Sequence, residues 1–239
     1  MKFTTLILLA ILFTTCFTSC TDYEKIAEEN RNLLNKGQNQ AVIDKLSIVL
    51  AENQEFADGF NLRGVAFLAL GNAEKALKDF NQAIKLDDKN YKYFYNRGNV
   101  YRQTSQLQDA LTDYDKAIVL NETIADLYTN KGAVLVLMSR NKEALATLNK
   151  SISLNPSDKN ALFNRGQIHY LANDFDKAIA DLHHCVELAP DLAKAHYVLA
   201  MSEIRKNADK ASPESCQHLQ KSIELGFSEG MENLRRYCQ

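Results

Sequence analysis

The chain repeats itself every 34 residues, and no other property restricts its fold so strongly. Phe60, Gly64, Phe67, Ala76 and Phe80 return as Phe94, Gly98, Tyr101, Ala110 and Tyr114. They return again as Tyr128, Gly132, Leu135, Ala144 and Leu148, and then as Leu162, Gly166, His169, Ala178 and Leu182. Nothing is inserted or lost between recurrences. A unit of this length is one supersecondary element that cannot bury its own apolar face, so neighbouring copies must stack. Stacks of this kind build long curved surfaces rather than enclosed catalytic clefts.

Each unit carries two helical stripes. In residues 91–124, Phe94, Val100 and Tyr101 mark the first, and Ala110, Leu111, Tyr114, Ala117 and Ile118 mark the second, at spacings of three and four. Gly71, Ser105 and Asn173 break the pattern between stripes, where a helix end and a tight turn are expected. Gly98 and Ala110 are small where the two helices would cross, while Tyr101 and Tyr114 fill the space around them. Asp88, Pro156 and Pro190 help to stop one helix and start the next. Three prolines and nine glycines suit nearly continuous helix and are too few for an all-β sandwich. A chain 46% hydrophobic and 24% charged has the balance of a folded soluble body.

The pattern resembles the tetratricopeptide repeat, strongly over 57–192, with Leu135 and His169 where an aromatic is usual and Ser151 and Cys185 in place of a small Ala. The resemblance implies an all-α fold, a right-handed α-solenoid of about five to six helix hairpins. Residues 57–192 supply four well-matched repeats. Residues 23–56 keep the register with Ile26, Leu33, Gly37, Leu46 and Val49, as a divergent first repeat. Residues 193–239 read as a degenerate repeat, with about three extra residues around Asp209–Pro213, followed after Gly226 by an amphipathic capping helix.

The N-terminus points to export. Met1 and Lys2 precede the apolar run Phe3–Phe13, too short for the roughly 20 residues that cross a bilayer. Residues 1–19 are therefore expected to be a signal peptide. Its end, Phe17-Thr18-Ser19-Cys20, resembles a bacterial lipobox, which implies acylation of Cys20, with 20–22 as a short tether. Cys16 as acceptor and an ordinary cleaved signal are the alternatives. Two or three acyl chains hold a protein on a membrane lastingly, at about 0.8 kcal/mol per buried methylene. By family analogy Thr21, rather than Asp, after the cysteine leans towards the outer membrane.

Arg63, Arg97, Lys131 and Arg165 form a cationic column, and Asp79, Asp113 and Asp181 recur where the second helix passes it. The repeat with Lys131 has Thr147 instead of Asp, so an exposed Arg–Asp pair within each hairpin is expected rather than an anion-binding stripe. Asn96, Asn130 and Asn164 form a second column. The resemblance implies that this position looks into the concave groove, where some family members grip peptide backbones with an asparagine ladder. A carboxamide both donates and accepts, which suits a peptide unit of any sequence. The alternative is that each Asn bonds a neighbouring helix. By the same analogy Tyr95, Asn99, Arg102, Phe163, Gln167, Tyr170 and Tyr197 share the groove, and aromatics with Arg are what binding hot spots prefer. Tyr95 stands where a chaperone-tail carboxylate clamp needs Lys, so that ligand is not expected.

Cys216 opens the second helix of the last repeat and Cys238 closes the antiparallel helix after it, so a disulfide is expected in an oxidising envelope. Cys185 falls at a small core position and is expected to be inert. His183, His184 and Cys185 are adjacent on one helix and point about 100° apart, so no metal site is expected. No phosphate loop, nucleophile elbow or catalytic carboxylate pair is present, and neither an enzyme nor a cofactor is expected. A net charge of −2, or −3 without Lys2, gives no support for nucleic-acid binding. The expected function is a lipid-anchored scaffold in the bacterial cell envelope that holds protein or peptide partners, as pilotins, outer-membrane assembly subunits and hydrolase adaptors of this architecture do. A glycan or small-ligand binding component of outer-membrane uptake is the alternative. The oligomeric state is open.

Overall fold

Positive-φ residues punctuate the chain at the repeat period: Gly37, Gly71, Ser105, Ser139 and Asn173. Each ends the first helix of a hairpin, and the next amide closes the turn by donating back across it. Asn72 donates to Phe67 O, Gln106 to Tyr101 O, Arg140 to Leu135 O and Asp174 to His169 O, at 2.8–2.9 Å. These left-handed turns satisfy the carbonyls that a helix end leaves orphaned. Helix is the only regular structure among the residues that the computed structural model describes, 22–238.

The chain divides into two units, Met1–Leu120 and Asn121–Gln239. The first contains α1 (22–35), α2 (Asn39–Glu52), α3 (Ala57–Ala69), α4 (Ala73–Leu86), α5 (Tyr91–Gln103) and α6 (Leu107–Leu120). The second contains α7 (Ala125–Leu137), α8 (Asn141–Leu154), α9 (Lys159–Leu171), α10 (Phe175–Leu188), α11 (Ala193–Lys206), α12 (Pro213–Glu224) and α13 (Gly230–Tyr237). Within each unit the helices pair as α-solenoid hairpins, and each hairpin packs on the next. In the first unit Val42, Leu46 and Leu50 of α2 are covered by Leu62 and Ala66 of α3. In the second, Leu162, Leu182 and Cys185 are covered by Ala195 and Leu199 of α11.

The crossing inside each hairpin is set by glycine. A Cβ on Gly64 would lie 2.7 Å from the Phe80 ring, on Gly98 2.9 Å from Tyr114, on Gly132 2.6 Å from Leu148 and on Gly166 2.8 Å from Leu182. The large residue sixteen places on fills the space that glycine leaves, and Phe80, Tyr114, Leu148 and Leu182 are all fully buried.

The C-terminal end departs from the period. Ala208 and Asp209 both take positive φ, lengthening the turn after α11. Ser212 restarts the helix with a capping box to Ser215 and with Pro213 in the first turn. Cys216 on α12 and Cys238 at the end of α13 are disulfide-bonded, their Cα atoms 5.8 Å apart. Leu219 and Ile204 pack beneath Leu234 and Tyr237 to close the stack.

Candidate partner-binding site

The period that builds the hairpins also repeats their polar side chains. Arg63, Arg97 and Arg165 each grip the aspartate sixteen residues on with two parallel bonds: Nε to Oδ2 at 2.8 Å in all three, and Nη2 to Oδ1 at 2.8, 2.7 and 2.6 Å. The pairs are not the exposed contacts expected from the sequence. Asp79, Asp113 and Asp181 are only 5, 4 and 9% exposed, because the carboxylate sits at the helix crossing rather than on the outer surface. The hydrogen bond to Asp113 holds the Arg97 guanidinium above its usual range against the opposing effect of burial. The third guanidinium nitrogen reaches the preceding hairpin: Ser47 at 3.3 Å, Asn81 at 2.7 Å and Asn149 at 2.8 Å. One arginine thus fastens three helices. At the odd repeat, Thr147 instead donates to Glu143 O within its own helix at 2.9 Å.

The asparagine column lies half-buried on α5, α7 and α9. Asn96 Nδ2 donates to Asn61 Oδ1 of the previous hairpin at 2.8 Å, so this carboxamide does bridge neighbouring helices. Asn130 donates to the Asp126 carbonyl one turn back at 3.1 Å. Asn164 makes no side-chain hydrogen bond among the described residues. It stands beside half-buried Phe163 and one turn before Gln167. Asn61 lies one place early in its repeat, which is why it meets Asn96 across the stack.

The other expected groove residues separate into two groups. The Tyr95 ring lies 6.2 Å from the Tyr114 ring, tilted by 48°, and Asn99 accepts from the Tyr114 hydroxyl at 2.8 Å. Burial pushes the Tyr114 phenol up to about 12. Arg102 is exposed on the same helix. In the second unit, Tyr170 lies 6.1 Å from the Phe175 ring. Tyr197 is taken up by the C-terminal cap: its ring packs 4.9 Å from Phe227 and its hydroxyl accepts from Asn233 at 3.0 Å. Cys20 lies outside the described residues. Cys185 is buried and donates to the Lys159 carbonyl at 3.3 Å, and burial raises its thiol to about 11, so it does not ionise near neutrality.

Sequence spacing did not reveal a histidine cluster on α10, α11 and α12. His196 Nε2 donates to the Pro190 carbonyl at 3.1 Å, which leaves its Nδ1 to accept from His218 Nδ1 at 3.0 Å. His183 Nε2 lies 3.3 Å from Glu203 Oε1, and its ring meets that of His218 edge-on. Burial, with His196 and His183 alongside, lowers His218 to about 4. Burial raises Glu203, whose Oε2 is buried without a hydrogen bond. No group of three or more His, Cys, Asp or Glu among the described residues has metal-holding geometry.

Models described as tetratricopeptide repeat match residues 91–124, 125–158 and 160–192, and another described as TPR repeat matches 64–105. Together they span more than half of the chain, in the register of the 34-residue period. No curated protein matches the sequence. Among solved structures, YrrB, titled a TPR protein with an unusual peptide-binding site, is 23% identical, with a TM-score of 0.65 over 80% of this chain and 97% of its own. PilF of Pseudomonas aeruginosa is 15% identical, with a TM-score of 0.81 over 90% of this chain and 96% of its own. MamA from Desulfovibrio magneticus RS-1 is 24% identical, with a TM-score of 0.63 over 72% of this chain and 96% of its own. Identities this low establish a shared fold.

Proposed function

The chain belongs to the tetratricopeptide-repeat proteins, and on that premise we propose that it is a non-catalytic scaffold for protein or peptide partners, anchored in the bacterial cell envelope through an acylated Cys20. The observation that carries the scaffold reading is the column of half-buried asparagines repeated on α5, α7 and α9. Stacking alone does not require a carboxamide there: the same position in α3 is Leu62, and that hairpin packs as the others do. Within the second unit, Asn130 and Asn164 stand one repeat apart, and each carboxamide can give a peptide unit both a donor and an acceptor. Aromatic neighbours such as Tyr95 and Phe163 add contact area at little entropic cost. YrrB, by its title, binds peptide at an unusual site, which supports the class of ligand without identifying the partner.

Envelope location rests on the leader: an apolar run too short to span a bilayer, ending in Phe17-Thr18-Ser19-Cys20. The cap disulfide is compatible with an oxidising compartment. Two experiments test the two halves. Metabolic labelling with palmitate is expected to mark the wild-type protein and not Cys20→Ala, and label retained on the variant contradicts the anchor. Crosslinking in intact envelopes followed by mass spectrometry is expected to recover defined partner proteins. A saturable glycan or small ligand, with no protein recovered, would favour nutrient uptake instead.

A further inference from the structure

On the first unit, away from the asparagine column, a notch of about 660 Å3 opens between α2, α3 and α4. Leu50, Phe60 and Phe67 give it an apolar floor, and Arg63, Lys75 and Lys78 stand on its rim. The notch is a repeat feature. A smaller one of about 440 Å3, between α8, α9 and α10, is lined by Asn149, Arg165, His169, Lys177, Ala180 and Asp181. These are the positions of Ser47, Arg63, Phe67, Lys75, Lys78 and Asp79 three periods later.

Three differences make the first notch a better receptor. Ser47 replaces an asparagine, so Arg63 Nη1 finds only a 3.3 Å contact where Arg165 has one of 2.8 Å, and the shorter side chain leaves more room. Phe67 replaces His169, and its ring lies 5.3 Å from the Lys75 ammonium and 5.9 Å from the Arg63 guanidinium. Lys78 replaces Ala180, placing two exposed cations one turn apart on a single helix face. Asp79 is already bonded to Arg63, which leaves the charges of Lys75 and Lys78 uncompensated within the notch. The two intervening repeats have Asp109 and Thr112, then Glu143 and Ala146, at those two positions, so the cationic rim belongs to the first notch and not to the fold.

We propose that this notch is a second binding site, for an acidic segment of a partner protein that seats an aromatic or aliphatic side chain on Phe60 and Phe67 and sets flanking carboxylates against Lys75 and Lys78. The volume is in the range of ligand-binding clefts, and Leu50, Ala51, Phe60 and Phe67 supply its apolar surface among seven polar or charged lining residues. Lysine rims recognise carboxylates as point charges, and the charge match governs partner choice and association rate more than depth of burial does. The site is independent of the asparagine column and adds a second handle to the scaffold.

The test uses the full-length protein and a fluorescent peptide, Glu-Leu-Asp-Phe-Glu with blocked ends, against its neutral counterpart Gln-Leu-Asn-Phe-Gln. Saturable binding of the acidic peptide is expected, about tenfold weaker for the neutral one and weakening as salt rises. Lys75→Glu with Lys78→Glu should reduce it by a similar factor, while Lys177→Glu in the second notch should leave it unchanged. Amide resonances of Phe60, Phe67 and Lys75 should shift on titration. An unchanged melting temperature certifies the fold of the charge-reversed pair, and Lys75→Gln with Lys78→Gln replaces it if that pair does not fold. Equal binding of both peptides, no binding, or indifference to the lysine changes overturns the proposal. So does Lys75- and Lys78-dependent binding to phosphatidylglycerol vesicles without peptide binding. Replacing Asn96, Asn130 and Asn164 should not alter peptide binding, which separates failure here from failure of the asparagine column.

Discussion

Ser105 and Ser139 hold positive φ at turns where Gly37 and Gly71 hold it in earlier repeats. A residue with a Cβ strains there, at a cost of about 1 kcal/mol that glycine avoids. Ser139→Gly and Ser105→Gly are each expected to raise stability by about 0.5–1 kcal/mol, read from the denaturant midpoint at unchanged slope. The Arg–Asp forks work in the opposite direction. Arg97→Met would leave the Asp113 carboxylate, 4% exposed, without its two strongest donors. A loss of about 2–4 kcal/mol is expected, and a double-mutant cycle with Asp113→Ala should recover most of it as coupling. This pairing was legible in the chain because the repeats supply their own comparison: where Arg becomes Lys131, Asp becomes Thr147. Its burial was not legible, since depth at a helix crossing depends on the glycine beside it rather than on the charged residues themselves.

At the scale of elements, the hairpin crossing limits substitution more than helix propensity does. Gly98→Ala would gain about 1 kcal/mol of propensity, yet its Cβ would lie 2.9 Å from the fully buried Tyr114 ring. Overpacking of about 1–3 kcal/mol outweighs the gain, so chemical denaturation should show net destabilisation. The cap depends on its covalent tie, which closes a loop of 22 residues by sequence separation. Reduction is expected to lower stability by about 3 kcal/mol, with faster hydrogen exchange concentrated in α12 and α13. The histidine cluster on α10–α12 adds a pH dependence. Because the folded state lowers His218 to about 4 from an ordinary value of 6.5, its contribution is complete above pH 6.5 and is lost as pH falls towards 4. Glu203, raised by burial, opposes this because its protonation on acidification favours the folded state. His218→Asn should therefore flatten the decline of melting temperature between pH 6.5 and 4 relative to wild type, and an unaltered slope would contradict the assignment. Helices, turns and period could be read directly from the sequence. The cluster could not, since His183, His196 and His218 follow no repeat spacing and meet only when three helices pack.

For the whole molecule, the fold follows from hairpins that each leave an apolar side for a neighbour, and the surface inherits the same spacing. Asn96 belongs to the first unit, and Asn130 and Asn164 to the second. The three carboxamides differ in their free-state partners: a neighbouring asparagine, a carbonyl of the same helix, and none for Asn164 among the described residues. Sequence reading found the column but not these differences, because Asn61 reaches Asn96 only through the stacking of α3 on α5. The most direct measurement replaces Asn96, Asn130 and Asn164 together by Ala and quantifies partner proteins crosslinked in intact envelopes, with helicity followed by circular dichroism. Capture should fall severalfold while helicity stays the same; undiminished capture by a fully helical variant would contradict the scaffold mechanism.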